Sequence, residues 1–247
     1  MSRQSKLTDY VNIIKYHGLF KGLRRAKDQF FENDLYDITN KTNFSEILGG
    51  DQFYGSIDGT NSSSVMHYQP AYTSAVTSPL KHLAKSEPSI GASSACYIDL
   101  GAGRGKTMHI AKKCIQHLTT IGVDLNGSLL DDAAKNLGFS EPTDFCNKDT
   151  DIEDSAIKSR LIKKDVNHVD YTDILEPYDT VIVFNKNSFD KKTTENTLDL
   201  IKKACSEKHL FYVYSNPVFQ ESFGDAQRIF HMNGWHKNWN TDVFKIN

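Results

Sequence analysis

Seven consecutive residues, Asp99-Leu100-Gly101-Ala102-Gly103-Arg104-Gly105, join a carboxylate to three alternating glycines. They stand between an apolar run at 96–100 that reads as a strand and an amphipathic stretch at 106–117 that reads as a helix. Glycines in such a turn let the backbone bend sharply and approach a ligand closely. In an open α/β sheet the turn lies at the carboxyl ends of the strands, where ligands sit. The spacing is G-x-G-x-G. A dinucleotide-binding turn needs a third glycine at position 106, which is Lys106, and a P-loop needs G-x-x-x-x-G-K-[ST]. A carboxylate closing the first strand is unfavourable under a pyrophosphate and favourable beside a cation. The turn therefore suits a cationic ligand without phosphate.

Further carboxylates follow at matching places. Asp124 closes the next strand-like run, about twenty residues beyond the glycine turn, where an acidic residue bonds ribose hydroxyls, with Leu125 beside it. Asp165 follows the third run and can accept from an adenine amino group, with Val166 offering its backbone N–H. The plainer reading of Asp165 is a helix N-cap. Asp124 suits any adenosine-type ligand and does not by itself separate NAD from an adenosine that carries a positive charge, which the Asp99 turn favours. S-adenosylmethionine is such a molecule, and Asp99 can place its methionine amino group.

These residues require a scaffold, and the sequence outlines one. From residue 96 onward, runs that read as strands (96–100, 120–125, 160–164, 179–184, 209–214 and 241–246) alternate with stretches that read as helices (106–117, 128–137, 193–205 and 223–230). Alternation of this kind implies an α/β fold with a doubly wound, mostly parallel sheet, and the wholly apolar run at 181–184 fits a sheet covered on both faces. Residues 139–159 read as a polar, acidic insertion. Residues 1–90 read as an N-terminal helical and loop extension covering the cofactor and acceptor site, and 91–247 as the ligand-binding domain. Within the extension, 6–33 has helical periodicity with a break near Gly18 and Gly22, 35–64 reads as loops and turns, and 76–85 as a short helix.

Composition narrows the classes. The 247 residues carry a formal net charge of −2, so no global basic field points to nucleic acid. The first helical stretch is locally basic (Arg3, Lys6, Lys15, Lys21, Arg24, Arg25 and Lys27) and reads as a solvated helix face or as a surface for an acidic partner, nucleic acid or a membrane. The four cysteines, Cys96, Cys114, Cys146 and Cys205, lack metal-ligand spacing and read as reduced, mostly buried thiols. No run is long and apolar enough to span a bilayer, and residues 1–8 lack a signal-peptide core, so the expected location is cytoplasmic.

From Tyr97 onward the chain resembles the class I, Rossmann-like methyltransferases: their first motif matches Asp99 to Gly105, their second acidic position Asp124, and their adenine-side position Asp165. The resemblance implies a seven-stranded sheet closed by an antiparallel hairpin, here expected at 231–246. It also implies S-adenosylmethionine held by Asp99, Gly101, Ala102, Gly103, Gly105, Asp124, Leu125, Asp165, Val166 and Asn185. The segment Tyr68-Gln69-Pro70 and the run Tyr214-Ser215-Asn216-Pro217 resemble those of small bacterial members of unassigned substrate. Where those enzymes carry Asn-Pro-Phe after the fourth strand, this chain has Asn185-Lys186-Asn187-Ser188-Phe189, without the proline. Amino-methylation of a base or of glutamine is thereby the weaker reading.

The expected activity is methyl transfer to an acceptor that the sequence leaves unidentified, a protein side chain or small metabolite ranking above nucleic acid. Methyl transfer needs positioning more than a catalytic triad. Asn185, Asn187 and Tyr68 are the candidates on the acceptor side, and His67 is a candidate base. The plainer readings are a strand-end cap for Asn185, a core or lid residue for Tyr68 and a loop histidine for His67. A non-catalytic S-adenosylmethionine- or nucleoside-binding module and an NAD-dependent oxidoreductase are the competing functions.

Overall fold

The structure, a computed structural model, describes residues 10–15, 18–45, 69–92, 94–141, 143–148, 150–234 and 240–246. Its strands are β1 (Ala95–Leu100), β2 (Thr119–Asp124), β3 (Asp151–Asp154), β4 (Ser159–Lys163), β5 (Thr180–Asn185), β6 (His209–Ser215), β7 (Gln227–Met232) and β8 (Thr241–Ile246). The helices are α1 (Leu19–Gln29), α2 (Leu35–Asn40), α3 (Thr73–Ser86), α4 (Lys106–Cys114), α5 (Gly127–Leu137), α6 (Tyr171–Leu175) and α7 (Lys191–Ala204). All eight strands form one sheet in the order β3-β4-β2-β1-β5-β6-β8-β7. Strands β4, β2, β1, β5 and β6 run parallel, while β8 is antiparallel to both β6 and β7. Among the described residues no helix is long and apolar enough to cross a membrane.

Every residue of β1 and β5 is buried, as expected of central parallel strands covered by helices on both sides. Alternation along β1 sends Tyr97 into a core with Val76, Leu80 and Ile110, and sends Cys96, Ile98 and Leu100 into the opposite core with Val183, Leu198 and Tyr212. Helix ends follow local chemistry. Asn126 caps α5 by accepting from the Leu129 N–H at 3.1 Å, and Gly138 ends that helix in the left-handed region. Asp190 caps α7 through the Thr193 N–H at 2.8 Å.

The expected doubly wound sheet is present with an eighth strand. The insertion at 139–159 contains β3, which pairs antiparallel with β4. Its acidic residues are absorbed locally: Arg160 makes a two-pronged ion pair with Asp151, and Asp154 accepts from the N–H groups of Ser140, Ala156 and Ile157. The Ser140 hydroxyl, which also donates to Asp154, and then these N–H groups hold its carboxyl down at about 2.

Other expectations shift. The stretch at 223–230 is not a helix: a 3₁₀ turn over Gln220–Phe223 leads into β7. Phe223 is locked in an aromatic stack, 4.3 Å from Phe244 and 4.9 Å from Tyr212, and Gly224 at φ 52° turns the chain out of helical geometry. The closing hairpin thus starts at Gln227 rather than at 231. Residues 35–40, expected in a loop, continue the helical run of α1 through a π-helical turn at Phe30–Asp34. Gly18 breaks the first helical stretch at φ 78°, as its position predicts. Cys96 and Cys205 are buried, Cys114 is half-buried and Cys146 is exposed; all four are free thiols.

The glycine turn reaches its place because β2 carries Gly122 beneath it. A Cβ there would lie 2.7 Å from the Met108 sulfur and 2.9 Å from both the Ala102 Cβ and Leu161. Substituting Gly122→Ala should lower stability by about 1–3 kcal/mol through this overpacking, read as a lower urea midpoint with an unchanged m-value.

Candidate functional site

Four strand ends lie side by side. The loops following β4, β2, β1 and β5 are neighbours at the carboxyl edge of the sheet, and the sequence-derived candidates from Asp99 onward fall on them. Asp99, Gly101, Ala102, Gly103 and Gly105 follow or close β1, Asp124 and Leu125 close β2, and Asn185 and Asn187 close β5. Gly101, Gly103 and Gly105 all have positive φ (81°, 53° and 81°), so the turn uses the freedom its glycines supply.

Asp124 organises this turn. One of its oxygens accepts from the Gly103 N–H at 2.8 Å and the other from the Asn126 N–H at 2.8 Å. The Leu125 N–H also donates to this carboxylate, which with about four acceptor sites keeps one for a further donor. Burial lifts its carboxyl above the usual range, against the pull of those N–H groups. Asp99 is buried on the α4 side of β1 and accepts from the Thr107 hydroxyl. Burial pushes its carboxyl up to about 7; the negative charge of Asp124 adds to the rise and the Thr107 bond opposes it.

Beyond β4, Asp165 caps the 3₁₀ turn Val166–His168 by accepting from the Asn167 N–H at 2.8 Å, so the plainer expectation for this residue describes its geometry. Leu125 and Asp165, with Ile162 and Val169, line a cleft of about 640 Å³ at the β2–β4 side of the site. Val166 is buried beside it, its carbonyl accepting from Tyr171. On the other side, Asn185 is fully buried. Its carboxamide oxygen accepts from the Ser188 N–H at 3.0 Å, and its amide donates to the Tyr212 hydroxyl at 3.3 Å. Asn185 therefore shapes the turn that follows β5. Asn187 is half-buried in the left-handed region at φ 46° and accepts from the Tyr214 hydroxyl at 3.3 Å. Tyr68 and His67 lie outside the described residues.

Sequence reading missed two lysines and a serine. Lys106 is almost fully buried, and its ammonium donates to the Glu32 carbonyl at 2.7 Å, the Ala71 carbonyl at 2.8 Å and the Asn33 side chain. Burial pulls it down to about 7. Lys186 donates to the carbonyls of Gln69 at 3.1 Å and Pro70 at 3.0 Å, and burial lowers it to about 8. Two cations thus hold three successive carbonyls, 69–71, over the ends of β1 and β5. Ser188 closes on the glycine turn: a Cβ on Gly101 would lie 2.9 Å from its hydroxyl oxygen. The available signal was Lys106 itself, a cation on the otherwise apolar face of α4 formed by Met108, Ile110 and Ala111.

The α4 face binds the N-terminal helical run in register. Lys106 meets Asn33, His109 bonds Tyr36 at 2.8 Å, and Lys113 reaches Asn40. Arg104, within the glycine turn, donates to the Asn43 carbonyl at 2.9 Å and pairs with Asp132 at 3.4 Å.

No family model matches the chain, and no curated protein matches it in sequence. Solved structures are similar at low identity. Fibrillarin in its complex with Nop5p is 10% identical, with 75% of this chain and 88% of that chain covered at a TM-score of 0.47. An S-adenosylmethionine-dependent methyltransferase of Leishmania major is 12% identical, with 70% and 72% covered at 0.45. The glycopeptide N-methyltransferase MtfA, complexed with S-adenosylmethionine, is 14% identical, with 69% and 65% covered at 0.40.

The raised Asp99 pKa has a measurable signature. Between its ordinary value of 3.8 and about 7 the folded state binds a proton that the unfolded state has released, so this residue makes stability fall as pH rises through that window. Asp99→Asn lacks the effect. The melting temperature of the variant minus that of the parent should grow from pH 5 to pH 8; Lys106 is common to both proteins and cancels. A constant difference across this range would contradict a buried, high-pKa Asp99.

Proposed function

We propose that this chain is an S-adenosylmethionine-dependent methyltransferase. The observation that carries the reading is the pair of carboxylates, buried Asp99 and half-buried Asp124, bracketing a glycine turn at the carboxyl ends of adjacent strands β1 and β2. The donor set fits the ligand. Asp99 offers negative charge to an α-amino group, Asp124 keeps an acceptor site for a ribose hydroxyl, and Leu125 and Asp165 line a cleft of about 640 Å³, within the usual size range for small-ligand pockets. The position that would carry the third glycine of a dinucleotide turn is taken by Lys106, whose buried ammonium is spent on chain carbonyls rather than directed at a phosphate.

When bound, the cofactor supplies an electrophilic methyl group on a sulfonium centre. The chain's part is placement. Asp124 fixes the turn through Gly103 and so fixes the path of the backbone at the ligand. Asn185 holds the loop after β5 through Ser188, and Tyr214 holds Asn187 in its left-handed turn beside it. We assign Asn187 to the acceptor side and Asn185 to positioning that side. Tyr68 joins them on the strength of its Tyr-x-Pro context. A protein side chain or small metabolite ranks above nucleic acid as acceptor because the chain's net charge is slightly negative.

Calorimetric titration tests the reading. S-adenosylmethionine and S-adenosylhomocysteine should bind in the micromolar range, NAD should not, and Asp124→Ala should weaken both by about tenfold or more, in keeping with one lost charge-assisted hydrogen bond. Affinity for S-adenosylmethionine should fall by up to about tenfold per unit below pH 7, because protonating Asp99 removes the charge its amino group needs; in Asp99→Asn the affinity should be low and flat with pH. A preference for NAD, or no binding of either sulfur compound, would overturn the proposal.

A further inference from the structure

The helical run from Leu19 to Asn40, roughly 30 Å long by the α-helical rise, carries two kinds of side chain to opposite places. Its large apolar residues at helical spacing stay outside: Leu19 is 61% exposed, Phe20 86%, Leu23 50%, Phe31 55% and Ile38 64%. Its acidic residues turn inward. Glu32 accepts from the Ser74 N–H, Asp34 from the Tyr10 hydroxyl, and Asp37 from Thr42 and the N–H groups of Phe44 and Ser45. Lys21 and Lys27 of the same run, and Lys41 at its end, are exposed as well. The run thus exposes large apolar side chains and lysines together, on a protein whose net charge is −2.

Exposed leucine, isoleucine and phenylalanine at this density need a partner that removes them from water. A second copy would bring like charges together. Nucleic acid would match the lysines and leave the aliphatic ridge without an apolar environment. An anionic bilayer surface matches both features: apolar side chains enter the boundary between headgroups and acyl chains, while lysines meet lipid phosphates. We propose that the exposed face of residues 19–41 docks this protein on membranes rich in anionic lipid. The inner face of the same run is bonded to α4 through Lys106, His109 and Lys113, so docking leaves the sheet and its strand-end loops as one body at the bilayer surface. This inference stands independently of the methyltransferase reading.

Co-sedimentation of the full chain with sized vesicles tests it. The protein should pellet with vesicles of phosphatidylcholine and phosphatidylserine, should stay in solution with phosphatidylcholine alone, and should be released at about 0.5 M salt, where charge interactions are screened over a few ångströms. The double variant Phe20→Ser, Phe31→Ser should lose at least tenfold in partition at an unchanged melting temperature, since both side chains are exposed. Lys21→Glu and Lys27→Glu should each weaken binding by about fivefold or more, on the scale of one cation at an anionic surface. No association with anionic vesicles overturns the proposal. So does equal partition of parent and serine variant, a dimer in solution that Phe20→Ser dissociates, or retention on an anionic polymer such as heparin without vesicle binding.

Discussion

The Lys106 ammonium is the tie on which the arrangement of this molecule depends. A cation taken out of water requires dense compensation, and it receives this from the Glu32 and Ala71 carbonyls and the Asn33 side chain. Those groups come from two separate stretches of the N-terminal part, while the lysine itself begins the helix behind the glycine turn. One buried charge therefore locks three segments together at a strand end. Without these carbonyls the ammonium would stand among apolar neighbours, and without the ammonium they would face one another. His109 and Lys113 extend the same connection one and two turns further along α4.

Much of the candidate site's geometry was legible in the sequence because its contacts are local. The glycine turn, Asp99 beside it and Asp124 at the next strand end are set by spacing along the chain, and the sheet follows from alternating apolar runs. What escaped reading depends on distant partners. Lys106 lies 73 and 74 positions from the N-terminal groups it binds, and Lys186 lies 116 and 117 positions from its carbonyls. Nothing in the immediate neighbourhood of either lysine announces a buried carbonyl acceptor. The stretch at 223–230 misled for a related reason: Phe223 and Phe230 have helical spacing, yet each is placed by tertiary contacts, one by stacking on Phe244 and the other by pairing in a strand.

The acidic stretch after α5 shows how folding changes the meaning of charge. In the sequence it is a polar insertion. In the fold Asp131 accepts from Thr143 and the Phe145 N–H, Asp154 closes the β3–β4 turn, and Asp151 grips Arg160 across the strand pair. Carboxylates that would repel one another in an extended chain are each occupied by a separate set of donors. The extra strand protects the edge of β4, which would otherwise present open backbone groups. It also brings Asp151 and Thr150 to the rim of the cleft beside Leu125 and Asp165.

The clasp on carbonyls 69–71 carries an evolutionary consequence. Lys186, in the loop after β5, and Lys106, at the start of the helix that follows neighbouring β1, serve one short backbone segment between them. Removing either leaves the segment half-held, and the second removal then finds less to undo, so their effects are non-additive. Sequences drifting from this one should change the two positions in concert or keep both. Such pairwise dependence would appear in a collection of descendants as correlated substitution at 106 and 186, far apart in the chain and linked by nothing that either residue touches directly in the other.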